Sequence, residues 1–233
     1  MKIGGIQTLT LIDYPGKVAA TVFTLGCNFR CHFCHNPELV NIKKKSWTMS
    51  SAKVFEFLKS RGQFLDGVCI TGGEPTIHAD FLNFLSKIKA LGLAVKLDTN
   101  GLNFPALKRA IDHQLVDYVA MDIKAPWEKY PVIVGEPIEV EPVKKSAEYL
   151  MNSGVEYEFR STVLPALHPP ADIIEMARQI KGAKKYYLQQ FKPFAKIVND
   201  DYRQAKSYTR QDLIKIKNKI KNWFDTVRIR ENI

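Results

Sequence analysis

Apolar residues along this 233-residue chain alternate between two periodicities. Short runs rich in branched and aromatic residues predict strands at Val18–Gly26, Val68–Gly72, Ala94–Asp98, Tyr118–Ile123, Glu156–Leu164 and Lys185–Phe191. Segments with helical spacing predict helices near Ser50–Arg61, Asp80–Leu91, Pro105–Gln114, Glu141–Asn152, Asp172–Lys181 and Thr209–Phe224. In the last of these the apolar stripe is Leu213, Ile216, Ile220 and Trp223, with Thr209 as cap and Asp212 three residues on. Ser50, His78–Asp80, Pro105 and Asp172 mark other starts, and Gly62, Gly92, Gly154 and Gly182 mark stops. Six strand–helix units imply an α/β fold with a parallel sheet and right-handed crossovers. Thr226–Arg230 reads as a further edge strand and Pro126–Pro142 as a long loop. Without repeats or linkers, residues 1–233 read as a single domain. The rhythm alone fits an open doubly wound sheet and a barrel equally.

Composition adds limits. A chain of this size buries roughly 70% of its unfolded surface. Its 45% hydrophobic and 25% charged content are ordinary for a globular protein. No apolar run is long enough for a membrane span or a signal peptide, so no membrane association is expected. The net charge of +10 would suit an acidic partner, an anionic cofactor or nucleic acid. Much of it lies at solvated positions: the run Lys43, Lys44 and Lys45, and Lys215, Lys217, Lys219 and Lys221 on the C-terminal helix. Aromatics do not interleave with these lysines as single-strand binders require, so nucleic acid is not the expected partner. Four cysteines, three of them clustered, argue against a secreted disulfide framework and for a reducing cytoplasm. Cys69, between Val68 and Ile70, reads as buried core.

The cluster carries the chemistry. Cys27, Cys31 and Cys34 lie in GCNFRCHFCHNPE with the spacing C-x3-C-x2-C. Three soft thiolates on one loop suit an iron–sulfur cluster, and on a [4Fe–4S] cube they leave one iron open to a ligand. The bland alternative is a Cys3His zinc knuckle completed by His32 or His35.

With Phe33 before the third cysteine, the motif resembles the signature of radical S-adenosylmethionine (radical SAM) enzymes. The longer string from Asp13 to Val40, followed by TGGEP and DTNG, resembles the activating enzymes of glycyl-radical proteins. Within them it is most similar to the anaerobic ribonucleoside-triphosphate reductase activating group. The resemblance runs from about Gly4 to about Phe194. It implies a partial (β/α)6 barrel with its reactive groups at the C-terminal ends of the strands. It implies one [4Fe–4S] cluster on three cysteines, SAM, and reductive SAM cleavage to a 5′-deoxyadenosyl radical that abstracts hydrogen from a partner's glycine. The implied partners are a glycyl-radical enzyme, foremost anaerobic ribonucleotide reductase, and an electron donor such as flavodoxin or ferredoxin.

The resemblance also assigns roles. Phe33 would line the adenine pocket, with His35 either beside it or only shaping the turn before Pro37. Gly72 and Gly73 would let the backbone approach the methionine end of SAM, next to Glu74. Asp98 and Thr99, beside Asn100, would help hold a monovalent cation. Asp122 would meet a ribose hydroxyl or a cation, and Lys124 would pair with it or face the substrate opening. Arg160 suits an anionic group, or else an ion pair with Glu156, Glu158 or Asp122. Lys192 is carried over weakly, because FKPF stands where related activases have a histidine. His78, His113 and His168 read as surface or helix-end residues. The remaining alternatives are a pyruvate formate-lyase type activase, a small-molecule enzyme of the 7-carboxy-7-deazaguanine synthase type, a nucleic-acid modifying enzyme, and a non-catalytic metal-binding module.

Overall fold

A computed structural model describes residues 1–41, 48–193 and 196–231; the lysine run at 43–45 and Phe194 of FKPF lie outside them. The strands are β1 (Ile3–Thr10), β2 (Ala19–Thr24), β3 (Gly67–Gly72), β4 (Ala94–Thr99), β5 (Tyr118–Asp122), β6 (Glu156–Val163), β7 (Lys185–Gln190) and β8 (Thr226–Arg230). The strands are mostly parallel and neighbours in the sheet follow chain order, β1 to β4 in one stretch and β6 to β8 in another. The helices are α1 (Pro37–Val40), α2 (Ser51–Arg61), α3 (Phe81–Lys89), α4 (Phe104–Asp112), α5 (Tyr130–Val134), α6 (Glu141–Asn152), α7 (Pro170–Gln179) and α8 (Arg210–Ile220). Every strand and helix foreseen from periodicity is present.

The chain divides into two compact units. The first comprises residues 1–28, 38–99 and 103–120. Here β2 pairs parallel with β3, and β3 with β4, placing Val22, Ile70 and Leu97 in one fully buried row. Strand β1, which periodicity did not reveal, pairs antiparallel with β2 and carries two register shifts. Its sequence IGGIQTLT has two glycines and an exposed centre, so it lacks the apolar run of an interior strand. Helix α3 buries Phe81, Phe84, Leu85 and Ile88. The Ser50 side chain caps α2 by accepting from the Lys53 amide, and Asn103 caps α4 through the Ala106 amide, with Pro105 in the first turn as expected.

The second unit comprises residues 29–37, 100–102 and 121–233. Strands β6, β7 and β8 pair parallel, which makes Thr226–Arg230 the edge strand expected. Pro126–Pro142 is not all loop: it holds a 3-10 turn at Trp127–Lys129 and then α5, which ends at Gly135 with φ 66°. Thr209 and Asp212 form the expected capping box of α8. Asp172 lies in the first turn of α7, as expected, and its carboxylate receives the Lys129 ammonium at 2.7 and 2.8 Å. Among the described residues no helix is long and apolar enough to cross a membrane.

Candidate active site

In the first unit the strand ends are bound to one another. After β2, the Gly26 and Cys27 amides donate to the carbonyls of Leu39 and Val40 at 2.7 and 3.2 Å, so α1 ties the start of the cysteine loop. The Gly73 amide donates to the Thr24 carbonyl at 2.9 Å and the Glu74 amide to that of Gly26 at 2.7 Å. A Cβ on Gly73 would stand 2.0 Å from the Gly26 oxygen. One on Gly72, where φ is 110°, would stand 2.4 Å from the Thr24 nitrogen. Both glycines are required by the close approach of the chain's own backbone.

Glu74 is 1% exposed. Its Oε1 accepts from the Thr76 amide at 3.2 Å, the Thr76 hydroxyl at 2.6 Å and the Thr99 hydroxyl at 2.8 Å. A buried carboxylate with three donors is compensated, and it joins the ends of β3 and β4. Asp98 is already engaged by a cation, since the buried Lys96 ammonium forms an ion pair with its Oδ1 and stands 3.8 Å from the Cys69 thiol. Cys69 is fully buried, as expected. A second cation about 4 Å from that ammonium would meet a repulsion of about 4 kcal/mol at an effective dielectric near 20. The Asp98 carboxylate therefore already has a counter-charge within the chain, which weakens its pull on any further cation.

The second unit gathers most of the other candidates. The Cys34 amide donates to the Cys31 carbonyl at 3.0 Å, closing a turn. The Val198 and Asn199 amides donate to the carbonyls of Cys34 and His32, each at 3.2 Å, which pins this stretch. The Phe33 ring is 3% exposed, with its centroid 5.4 Å from that of His168 and the Lys124 ammonium 5.9 Å away. Lys124 Nζ and Arg160 Nε donate to opposite oxygens of Asp122, each at 2.9 Å. Burial would raise the Asp122 carboxyl, but these two cations outweigh it and hold the group down to about 2. The Lys124 ammonium is held well above its usual range, where Asp122 and the cysteines overcome burial. Arg160 thus forms the ion pair with Asp122 that was one of its expected roles.

Burial pushes the Cys31 thiol up to about 12, against the pull of Lys124 and with Cys34 and Asp122 adding to it. A thiol so disfavoured as an anion becomes a thiolate when a metal compensates its charge. None of Cys27, Cys31 and Cys34 is tied up in a disulfide, so the donor set fits an iron–sulfur cluster. Among the described residues no three His, Cys, Asp or Glu side chains form a cage for a single metal ion.

His35 stacks on Phe191 with centroids 5.1 Å apart and bonds the Lys192 backbone, so it packs against the end of β7. Lys192 is half-buried there. Asn100 is buried and its side chain accepts from the Leu102 amide at 3.0 Å. The expectation for His168 was wrong. It is fully buried, Nε2 lies 2.8 Å from the Lys124 carbonyl, and its own carbonyl accepts from the Tyr208 hydroxyl at 2.6 Å. Only the mainly apolar sequence LPALH before α7 hinted at this. Lys96 was missed too; a lysine alternating with apolar residues in AVKLD was its signal. His113 is exposed at the end of α4, as expected, whereas His78 is half-buried.

Residues 21–180 match the radical SAM superfamily. A Methanocaldococcus jannaschii protein, provisionally named as a glycyl-radical enzyme activating enzyme, is 31% identical over 98% of this chain and 95% of its own length. The pyruvate formate-lyase-activating enzyme of Clostridium pasteurianum is 28% identical over 83% of this chain and 82% of its own length. Among solved structures, Streptococcus suis SuiB bound to S-adenosylmethionine superposes with a TM-score of 0.69 at 14% identity. That match covers 90% of this chain and 49% of SuiB, so the chain spans about half of SuiB's length and shares its fold. The chain belongs to the radical SAM superfamily and, within it, to the enzymes that activate glycyl-radical proteins.

Proposed function

We propose that this protein installs a glycyl radical on a partner enzyme, with Cys27, Cys31 and Cys34 holding one [4Fe–4S] cluster, and that residues 1–233 serve as one radical SAM domain. The observation that carries this reading is the end-to-end match to the M. jannaschii activating enzyme. Bound together, a reduced cluster and SAM supply a 5′-deoxyadenosyl radical, with methionine as the other product of carbon–sulfur cleavage. The chain's own residues hold and shield. Phe33, braced by His168 and Lys124, presents an apolar face that excludes water beside two of the thiolates. Asp122, fixed from both sides by Lys124 and Arg160, stays ionised and keeps a hydrogen-bond acceptor in one orientation, which suits a ribose hydroxyl. Glu74 keeps the β3 and β4 ends in register for the methionine end of SAM. The electron comes from a small donor such as flavodoxin or ferredoxin, in the cytoplasm.

The partner we favour is anaerobic ribonucleotide reductase, on the Asp13–Val40 string. The C. pasteurianum relative favours a second reading, pyruvate formate-lyase. Reduced protein and SAM, mixed anaerobically with either enzyme from the same source, should give the doublet of a glycyl radical by electron paramagnetic resonance, with 5′-deoxyadenosine. A doublet on the reductase alone supports the first reading and one on the lyase alone the second. SAM cleavage without a doublet on any glycyl-radical enzyme of that source would sink both.

A further inference from the structure

The Asp98 carboxylate resembles a monovalent-cation ligand in sequence, yet the fold delivers a cation to it from two residues away. Both side chains project from the same face of β4, where alternation places positions 96 and 98 together. The Lys96 side chain is 3% exposed and that of Asp98 15%. The Lys96 ammonium stands 3.8 Å from the thiol of Cys69, the residue directly opposite on β3, and pairs with the Asp98 carboxylate. A buried ammonium is tolerated only when paired, and here the pair is built from one strand, with a fully buried neighbour limiting other rotamers. Nearby, the Thr99 hydroxyl directs its proton to Glu74.

We infer that Lys96 is a built-in cation: it supplies, as part of the chain, the positive charge for which the Asp98 site would otherwise recruit a monovalent metal ion. This inference rests on the proposal that the chain binds SAM beside these residues. An ammonium on a tether has two consequences. SAM binding should not depend on potassium or sodium, and removing the tethered charge should create that dependence. An engineered cation requirement is a readout that loss of a purely structural lysine would not produce.

The test uses the anaerobically purified, cluster-loaded protein at constant ionic strength, in potassium chloride and in tetramethylammonium chloride, whose cation is too large to enter a carboxylate site. SAM affinity is measured by equilibrium dialysis and melting temperature by calorimetry. The wild type should show the same affinity, within about twofold, and the same melting temperature in both salts. Lys96→Met should bind SAM at least tenfold more weakly in tetramethylammonium and recover affinity and melting temperature in potassium. Lys96→Arg, which keeps the charge, should remain indifferent to the salt. Should Lys96→Met not fold, Lys96→Gln is read in the same way, and the wild-type comparison decides independently. A tenfold weaker wild-type affinity without potassium would overturn the inference while leaving the activase reading intact, as would neutral variants indifferent to potassium. Failure of the wild type to bind SAM in either salt would overturn both.

Discussion

The carbonyl oxygen of Gly26 lies 2.0 Å from the point that a Cβ on Gly73 would occupy. The same oxygen also accepts from the Glu74 amide at 2.7 Å, which holds the two backbones together at this point. Gly73→Ala therefore drives the end of β3 away from the residue preceding Cys27. Overpacking of this kind costs about 2 kcal/mol or more. Melting temperature and iron per chain after anaerobic purification should fall together. Full iron at an unchanged melting temperature would show that the strand end yields without cost.

The cysteines should separate cleanly by role. Alanine at Cys27, Cys31 or Cys34 should abolish SAM cleavage and lower bound iron, because each thiolate serves one iron of the cube. Cys69→Ala should keep its iron and lose about 1–2 kcal/mol of stability, as a small deletion in a closed core does. Iron loss confined to the Cys69 variant would reverse the ligand assignment.

Asp122 makes the stability of the fold depend on acid. Its carboxyl is held down to about 2 in the folded protein, below its ordinary range near 4, so the ionised form favours folding. That contribution, on the order of 2 kcal/mol, is complete above about pH 4 and disappears as the pH falls toward 2. The stability gap between wild type and Asp122→Asn, measured by urea unfolding, should narrow across that window. A gap that stays constant from pH 5 to pH 2.5 would contradict the assigned ion pairs.

One side chain of β8 reaches past β7 to β6. Arg230 donates to both oxygens of Glu158 at 2.8 and 2.9 Å, and its guanidinium stacks 3.7 Å from the Tyr187 ring centre. Glu158 is 1% exposed. Arg230→Met should cost about 3 kcal/mol by removing this bidentate partner from a buried carboxylate. Arg230→Lys should recover only part, because an ammonium cannot reproduce the fork. Thermal unfolding of both variants would show it, and equal stabilities of Lys and Met would argue against the bidentate pair.

What the sequence determined by itself is what local pattern encodes. Strands β2 to β8 declare themselves by apolar runs, α8 by its stripe and by Thr209 with Asp212, and the cysteine loop by spacing alone. Each of these signals lies within one turn or one strand, so no distant residue is needed to read it. Tertiary structure decided the rest. Strand β1 exists because β2 offers it an edge, and α5 exists inside a proline-rich stretch that reads as loop. His168 became a buried brace for Lys124 from 44 residues away, a distance at which periodicity carries no information. Gly73 owes its identity to Gly26, which folding brings against it. Lys96 and Asp98 lie two residues apart, yet nothing local says that their pair is buried. The third dimension removes water from them, and that makes the pairing of their charges necessary.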